Sequence, residues 1–189
     1  MSKNIILASA SPRRKQLLEQ VGLVFDIIPS DVDEDVFVHY DPLKNIQVIA
    51  LQKAQNVAMK VQKGLIIGAD TQVIVNGKVL GKPIDKTDAV NMISILSGKT
   101  HKVITGIAII DVDTGLKETW VETTMVTFRK LTLDEILSYI DSGEYEGKAG
   151  AYGIQGRAAA FVERIEGCYF NVVGLPLSKL MERLRRFCK

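Results

Sequence analysis

The chain has 189 residues, of which 47% are hydrophobic and 24% charged, and a formal net charge of +2. These totals describe one ordinary globular domain, with two lobes at most, and the small charge gives no ground for binding nucleic acid or a membrane surface. Two scattered cysteines, Cys168 and Cys188, exclude a disulfide framework and point to the reducing cytoplasm, and no apolar run approaches membrane-spanning length.

In chain order, Ile5-Ile6-Leu7-Ala8 reads as a buried strand, and no secretory signal is expected from so short an apolar run. A helix follows, with Leu17, Leu18 and Val21 at helical spacing and a stop at Gly22. Ser11 suits the N-cap and Pro12 the first helical position. Arg13 and Arg14 then fall in the first turn, where the helix dipole disfavours cations. Either an anion sits there, held by backbone amides, Ser9, Ser11 and two guanidinium forks, or two exposed arginines tolerate a small penalty.

Phe25-Asp26-Ile27-Ile28 reads as a second strand. Asp31, Asp33, Glu34 and Asp35 form an acidic loop, either solvated or lending one carboxylate to a cation. Asp41 and Pro42 open a long helix with an apolar stripe of Leu43, Ile46, Ala50, Ala54, Val57 and Val61. Lys53 lies along that stripe, either snorkelling to water or reaching a buried anion; Lys60, at the helix end, reads as solvated.

Leu65-Ile66-Ile67 is a strand running into Gly68-Ala69-Asp70-Thr71. An acid among apolar strands is costly unless it is paired, metal-bound or capping a turn. Asn76-Gly77 marks a hairpin, which brings Lys82 of Gly81-Lys82-Pro83 back toward Asp70. Thr87 is expected to cap a helix through Val90, Ile93 and Leu96. Strands are expected over 101–111 and 116–129, with His101 read as a strand start rather than a ligand. Thr132 and Glu135 form a capping box for a helix that Gly143 stops.

Four glycines in residues 147–156 leave room for close approach, with Lys148, Tyr152, Gln155 and Arg157 offering contacts. The Gln155 amide carries a donor beside an acceptor, matching a base edge that sets N–H beside C=O. Phe161-Val162 and 169–173 read as closing strands. A last helix carries Leu177, Leu180, Met181 and Leu184 inward, with Arg183, Arg185 and Arg186 structural in its final turns.

With these segments placed, the chain resembles the Maf family of nucleoside triphosphate pyrophosphatases, also called septum-formation inhibitor proteins. The matching stretches are Ser9-Ala10-Ser11-Pro12-Arg13-Arg14, Gly68-Ala69-Asp70-Thr71, Gly81-Lys82-Pro83, Leu96-Ser97-Gly98 and Lys148-Ala149-Gly150-Ala151-Tyr152-Gly153-Ile154-Gln155-Gly156. The resemblance implies an α/β fold like that of inosine triphosphate pyrophosphatases: a long twisted mixed sheet with flanking helices and a cleft between two lobes. It also implies a homodimer, a link to cell division, and cleavage between the α and β phosphates. Arg13, Thr71 and Gln155 match the branch acting on dTTP and UTP rather than the 7-methyl-GTP branch.

On that resemblance Arg13, Arg14, Lys53 and Lys82 are expected to clamp phosphates, with Ser9 and Lys148 also binding substrate. Asp70 is expected to be the general base or a metal ligand, Glu34 the second carboxylate, and Mg²⁺ or Mn²⁺ the metal. Two rivals stand beside this: a nucleotidyltransferase, which needs an acceptor substrate, and a non-enzymatic nucleotide-binding regulator of septum formation.

Overall fold

The computed structural model describes residues 3–33 and 41–187, so Glu34 and Asp35 lie outside the described residues. The elements run β1 (Ile5–Leu7), α1 (Pro12–Gln20), β2 (Asp26–Ile27), α2 (Pro42–Ala58), β3 (Leu65–Val75), β4 (Lys78–Leu80) and α3 (Lys86–Leu96). Then come β5 (Thr100–Asp111), β6 (Lys117–Phe128), α4 (Leu133–Asp141), β7 (Val162–Glu166), α5 (Tyr169–Val173) and α6 (Leu177–Phe187). The strands form a mixed sheet in the order β2-β1-β3-β5-β6-β7, with β4 paired to β3. No helix among the described residues is long and apolar enough to cross a membrane.

The chain divides into two compact units. The first comprises Met1–Asp70, Thr105–Glu122 and Gly174–Lys189. Here β1 lies between β2 and β3, parallel to both, with Leu7 opposite Ile67. Every residue of β1 is buried, which explains its unbroken apolar run. The core gathers Ile6, Ala8, Ala50, Ala54, Val57, Ile66, Ala108 and Ile110.

Two glycines set how deep α2 sits in this unit. A Cβ on Gly68 would strike the Ala50 carbonyl and approach the Ala54 amide to 2.8 Å. One on Gly106 would strike the Ile46 carbonyl and come within 2.7 Å of its carbon. Backbone thus rests directly on backbone, and α2 cannot yield as a side chain could. Gly106→Ala is expected to lower stability by about 2 kcal/mol, as overpacking does. The urea midpoint reads this; an unmoved midpoint would show α2 free to ride outward.

α6 buries Leu177, Leu180 and Leu184. Arg183, expected to be structural, pairs with Glu118 and stacks 4.4 Å over the Trp120 ring. Lys179 bonds Glu122 at 2.7 Å. Lys60 meets Asp31 in an exposed ion pair.

The second unit comprises Thr71–Ile104 and Thr123–Val173. Its hairpin is as expected: Val73 faces Leu80 across a turn in which Asn76 and Gly77 both have positive φ. The N-cap of α3 is Asp85, not Thr87; its carboxylate accepts from the Asp88 amide at 2.7 Å, while Asp88 accepts from Ile84. A charged oxygen three residues before a free amide outcompetes a hydroxyl already inside the helix. The capping box of α4 forms as read, and Arg129 grips Glu135 as well, holding that carboxyl down to about 2.

Of the closing strands, the one expected at Phe161-Val162 forms as β7 from Val162 onward, and the other does not form. Residues 157–161 make a 3-10 turn before β7, and 169–173 is the helix α5 rather than a strand. Asn171 gives the reason. Its fully buried amide donates to the Val103 carbonyl and to Thr124 Oγ1, both at 3.0 Å. A buried amide needs such partners, and five apolar-rich residues do not by themselves distinguish strand from helix.

Candidate active site

In the first unit, Ser9 follows the C-terminal end of β1, and Asp70 lies in the middle of β3, three residues past the point where its parallel pairing with β1 ends at Leu7 opposite Ile67 and Ala8 N–H to the Ile67 carbonyl. Ligands of such sheets gather at that end of the strands. α1 begins a few residues past β1, with Ser11 at its N-cap, Pro12 in its first turn and no acidic side chain there. The Ser11 side chain does not cap the helix amides.

Lys53 and Asp70 meet. Lys53 Nζ donates to Asp70 Oδ1 at 2.8 Å, and each side chain is 10% exposed. The apolar stripe of α2 carried the lysine inward, and the glycine seats bring that helix close enough for its stem to reach the strand. Of the two readings open for Lys53, it reaches a buried anion, and the anion is a carboxylate of the same unit. The pair neutralises what would otherwise be two costly buried charges.

Arg14 turns inward as well. Its Nε donates to the Gly174 carbonyl at 2.9 Å and Nη1 to Ser9 Oγ at 3.1 Å. The same Ser9 hydroxyl accepts the Ser11 amide at 3.2 Å. Arg14 therefore ties the segment before α6 to the β1–α1 turn, while Arg13 beside it is only half-buried.

In the second unit, Thr71 is half-buried and Lys82 exposed. The glycine-rich segment is bound to the Lys82 segment: Gly150 N–H donates to the Gly81 carbonyl at 2.9 Å. A Cβ on Gly150 would press on all three Val73 side-chain carbons at 3.0 Å, so glycine is needed for this approach as well as for its φ of +65°. Lys148 crosses over Gly153 and donates to the Glu144 carbonyl. Glu144 also accepts the Arg157 amide at 2.8 Å, bracketing an exposed Gln155.

The structure thus places Ser9, Arg13, Arg14, Lys53 and Asp70 in one unit, with Arg14 bonded to Ser9 and Lys53 to Asp70, and Thr71, Lys82, Lys148 and Gln155 in the other; Glu34 lies outside the described residues. Sequence reasoning missed Glu144, Tyr139 and His101, which hold the glycine-rich segment. Tyr139 sits at core spacing with Ile136 and Ile140, and nothing local says that its hydroxyl reaches the Ala151 carbonyl, at 3.2 Å.

A divalent cation can be tested against these donors. Among the described residues no three His, Cys, Asp or Glu side chains gather as a metal cage. Asp70 offers a hard oxygen donor, since Lys53 takes only Oδ1. One carboxylate suits an ion whose other ligands are phosphate oxygens and water, as is usual for Mg²⁺.

The chain is similar over nearly its whole length to known proteins. A protein called dTTP/UTP pyrophosphatase from Ruminiclostridium cellulolyticum is 52% identical over 97% of this chain and 96% of its own. Another of that name from Carboxydothermus hydrogenoformans is 50% identical over 97% and 98%. A nucleoside-triphosphatase / dITP/XTP pyrophosphatase structure from Mycobacterium abscessus aligns with 68% of this chain and 75% of its own, at 10% identity and a TM-score of 0.41, too loose to argue from. The profile of the Maf-like protein family matches residues 4–187, end to end across the described fold, and the chain belongs to that family.

Proposed function

We propose that the protein is a nucleoside triphosphate pyrophosphatase that hydrolyses dTTP and UTP to the nucleoside monophosphate and pyrophosphate. The observation that carries this is the buried pair that Lys53 makes with Asp70 in the middle of β3, in a chain about half identical to two enzymes of that name. A protein that only bound nucleotide would need the cations but not a buried acid.

Water adds to phosphorus, the bond to the α–β bridging oxygen breaks, and pyrophosphate leaves. Lys53 fixes one oxygen of Asp70, and the other takes the proton from the attacking water. Arg13, Lys82 and the first amides of α1 balance the phosphate charge, and Arg14 keeps the β1–α1 turn and Ser9 in place for them. In the alternative in which Asp70 is a metal ligand rather than the base, it and Glu34 would hold a divalent cation, Mg²⁺ or Mn²⁺, which would supply charge neutralisation and activate the water. Thr71, Lys148 and Gln155 take the nucleoside end, with the Gln155 amide facing N–H beside C=O on the pyrimidine. No covalent intermediate is needed, because positioning and charge stabilisation suffice for this leaving group. A cytoplasmic homodimer belongs to the same reading.

The test is a panel of UTP, dTTP, CTP and GTP, assayed for pyrophosphate with each metal. Pyrophosphate from UTP or dTTP and water alone is expected. Release only when an acceptor is added would make the protein a transferase, and binding without release would make it a regulator.

A further inference from the structure

The backbone at residues 150–151 is held in a shape it would not take unaided. Gly150 and Ala151 both have positive φ, +65° and +61°, and Ala151 is fully buried. For alanine that region is sterically disfavoured, and such a conformation persists only where its surroundings over-determine it. The restraints are visible on each side: Gly150 N–H to the Gly81 carbonyl, Tyr139 Oη to the Ala151 carbonyl, and His101 Nε2 to Tyr152 Oη at 2.8 Å.

The last of these reaches the segment from a different part of the unit. His101 stands at the start of β5 and is 1% exposed. Its ring meets Phe128 edge-on at 5.0 Å and Tyr152 at 5.5 Å, and Phe128 meets Tyr152 at 4.8 Å. The three rings wedge one another, so the hydroxyl has one place to go. Burial keeps the imidazole uncharged down to about 4, so the bond persists unchanged near neutrality.

We propose that His101 is a positioning residue: through Tyr152 it fixes the glycine-rich segment and thereby sets which base edge Gln155 meets. This rests on the base-reading role given to Gln155 above. The chemistry makes such an anchor necessary. A side-chain amide that turns over pairs as well with cytosine, whose donor and acceptor are exchanged. Discrimination between uracil and cytosine then depends on a backbone that presents the amide in one geometry.

The experiment compares kcat/KM on UTP and CTP for the full-length protein and its His101→Phe, His101→Gln, Tyr152→Phe and Gln155→Ala variants. Loss of the bond is expected to lower the UTP-to-CTP ratio about tenfold in His101→Phe and in Tyr152→Phe, with kcat itself little changed. A variant carrying both His101→Phe and Tyr152→Phe falls no further than either single, because both remove one interaction. His101→Gln, which keeps a polar atom near the Nε2 position, retains the ratio. Should His101→Phe fail to fold, Tyr152→Phe, which loses a single oxygen, decides the matter. Hydrogen exchange at the Gly150 and Ala151 amides is read alongside, and faster exchange in the variants is expected. An unchanged ratio, equal losses on both bases, or unaltered protection overturns the proposal. Gln155→Ala judges the base reading separately: a changed ratio there with none in His101→Phe sinks His101 alone, and no change there removes Gln155.

Discussion

Asp70→Asn is expected to lower kcat about a thousandfold, the usual scale for losing a general base, and to weaken the fold as well. The second effect follows from the structure. Lys53 donates to Asp70 within 2.8 Å in a place where each side chain is 10% exposed. Removing one partner of a buried pair leaves the other charge uncompensated, which costs about 3–5 kcal/mol where no other group takes over. The two effects separate by a second substitution. Asp70→Asn with Lys53→Gln removes both charges and is expected to recover much of the lost stability while activity stays low. Urea midpoints and pyrophosphate release measure the two on the same samples. Near-normal turnover by Asp70→Asn would remove Asp70 from the chemistry. Activity recovering with stability in the double variant would make the pair a structural strut.

Stability is expected to fall by about 3 kcal/mol between pH 6.5 and pH 4 through His101 alone, at about 1.4 kcal/mol per pH unit. In the unfolded chain this imidazole takes its proton near 6.5; in the fold, burial delays that to about 4, against a smaller opposing contribution from the Lys99 backbone. Between those values the unfolded chain binds one more proton, so acid favours unfolding. The contribution is complete above 6.5 and gone below about 4. Tyr152, which touches the ring, is pushed up by burial and does not titrate in this window.

Carboxylates act at lower pH. Burial opposes the charge on Asp111, but hydrogen bonds from Lys3 and Thr114 outweigh it and keep its carboxyl below the ordinary value. Its share of stability is present above that ordinary value and lost as pH falls through the lower, folded one. The check is urea unfolding at pH 7 and pH 4.5. His101→Phe is expected to flatten the difference between them, and an unchanged difference would clear His101 as its cause.

Much of this was readable from the chain alone, because its signals are local. The apolar run of β1, the Pro12 start of α1, the Asn76-Gly77 hairpin and the Thr132–Glu135 capping box each involve residues at most a few positions apart, where propensity and hydrogen bonding act without help from the fold. The same holds for Lys53 on an apolar stripe, whereas Asp70, expected at a strand end, lies inside β3, which runs unbroken through Gly68-Ala69-Asp70-Thr71. Where local signals were ambiguous they misled: residues 169–173 became helix because Asn171 needed Val103 and Thr124, some 70 and 50 residues earlier. Only the tertiary structure decided that Lys53 and Asp70 pair, that Arg14 spends its fork on Gly174 and Ser9, and that His101 holds Tyr152. Those contacts join segments that no periodicity links. Each depends on how closely backbones approach, which here is set by glycines such as Gly68, Gly106 and Gly150 whose importance shows only when something is packed against them.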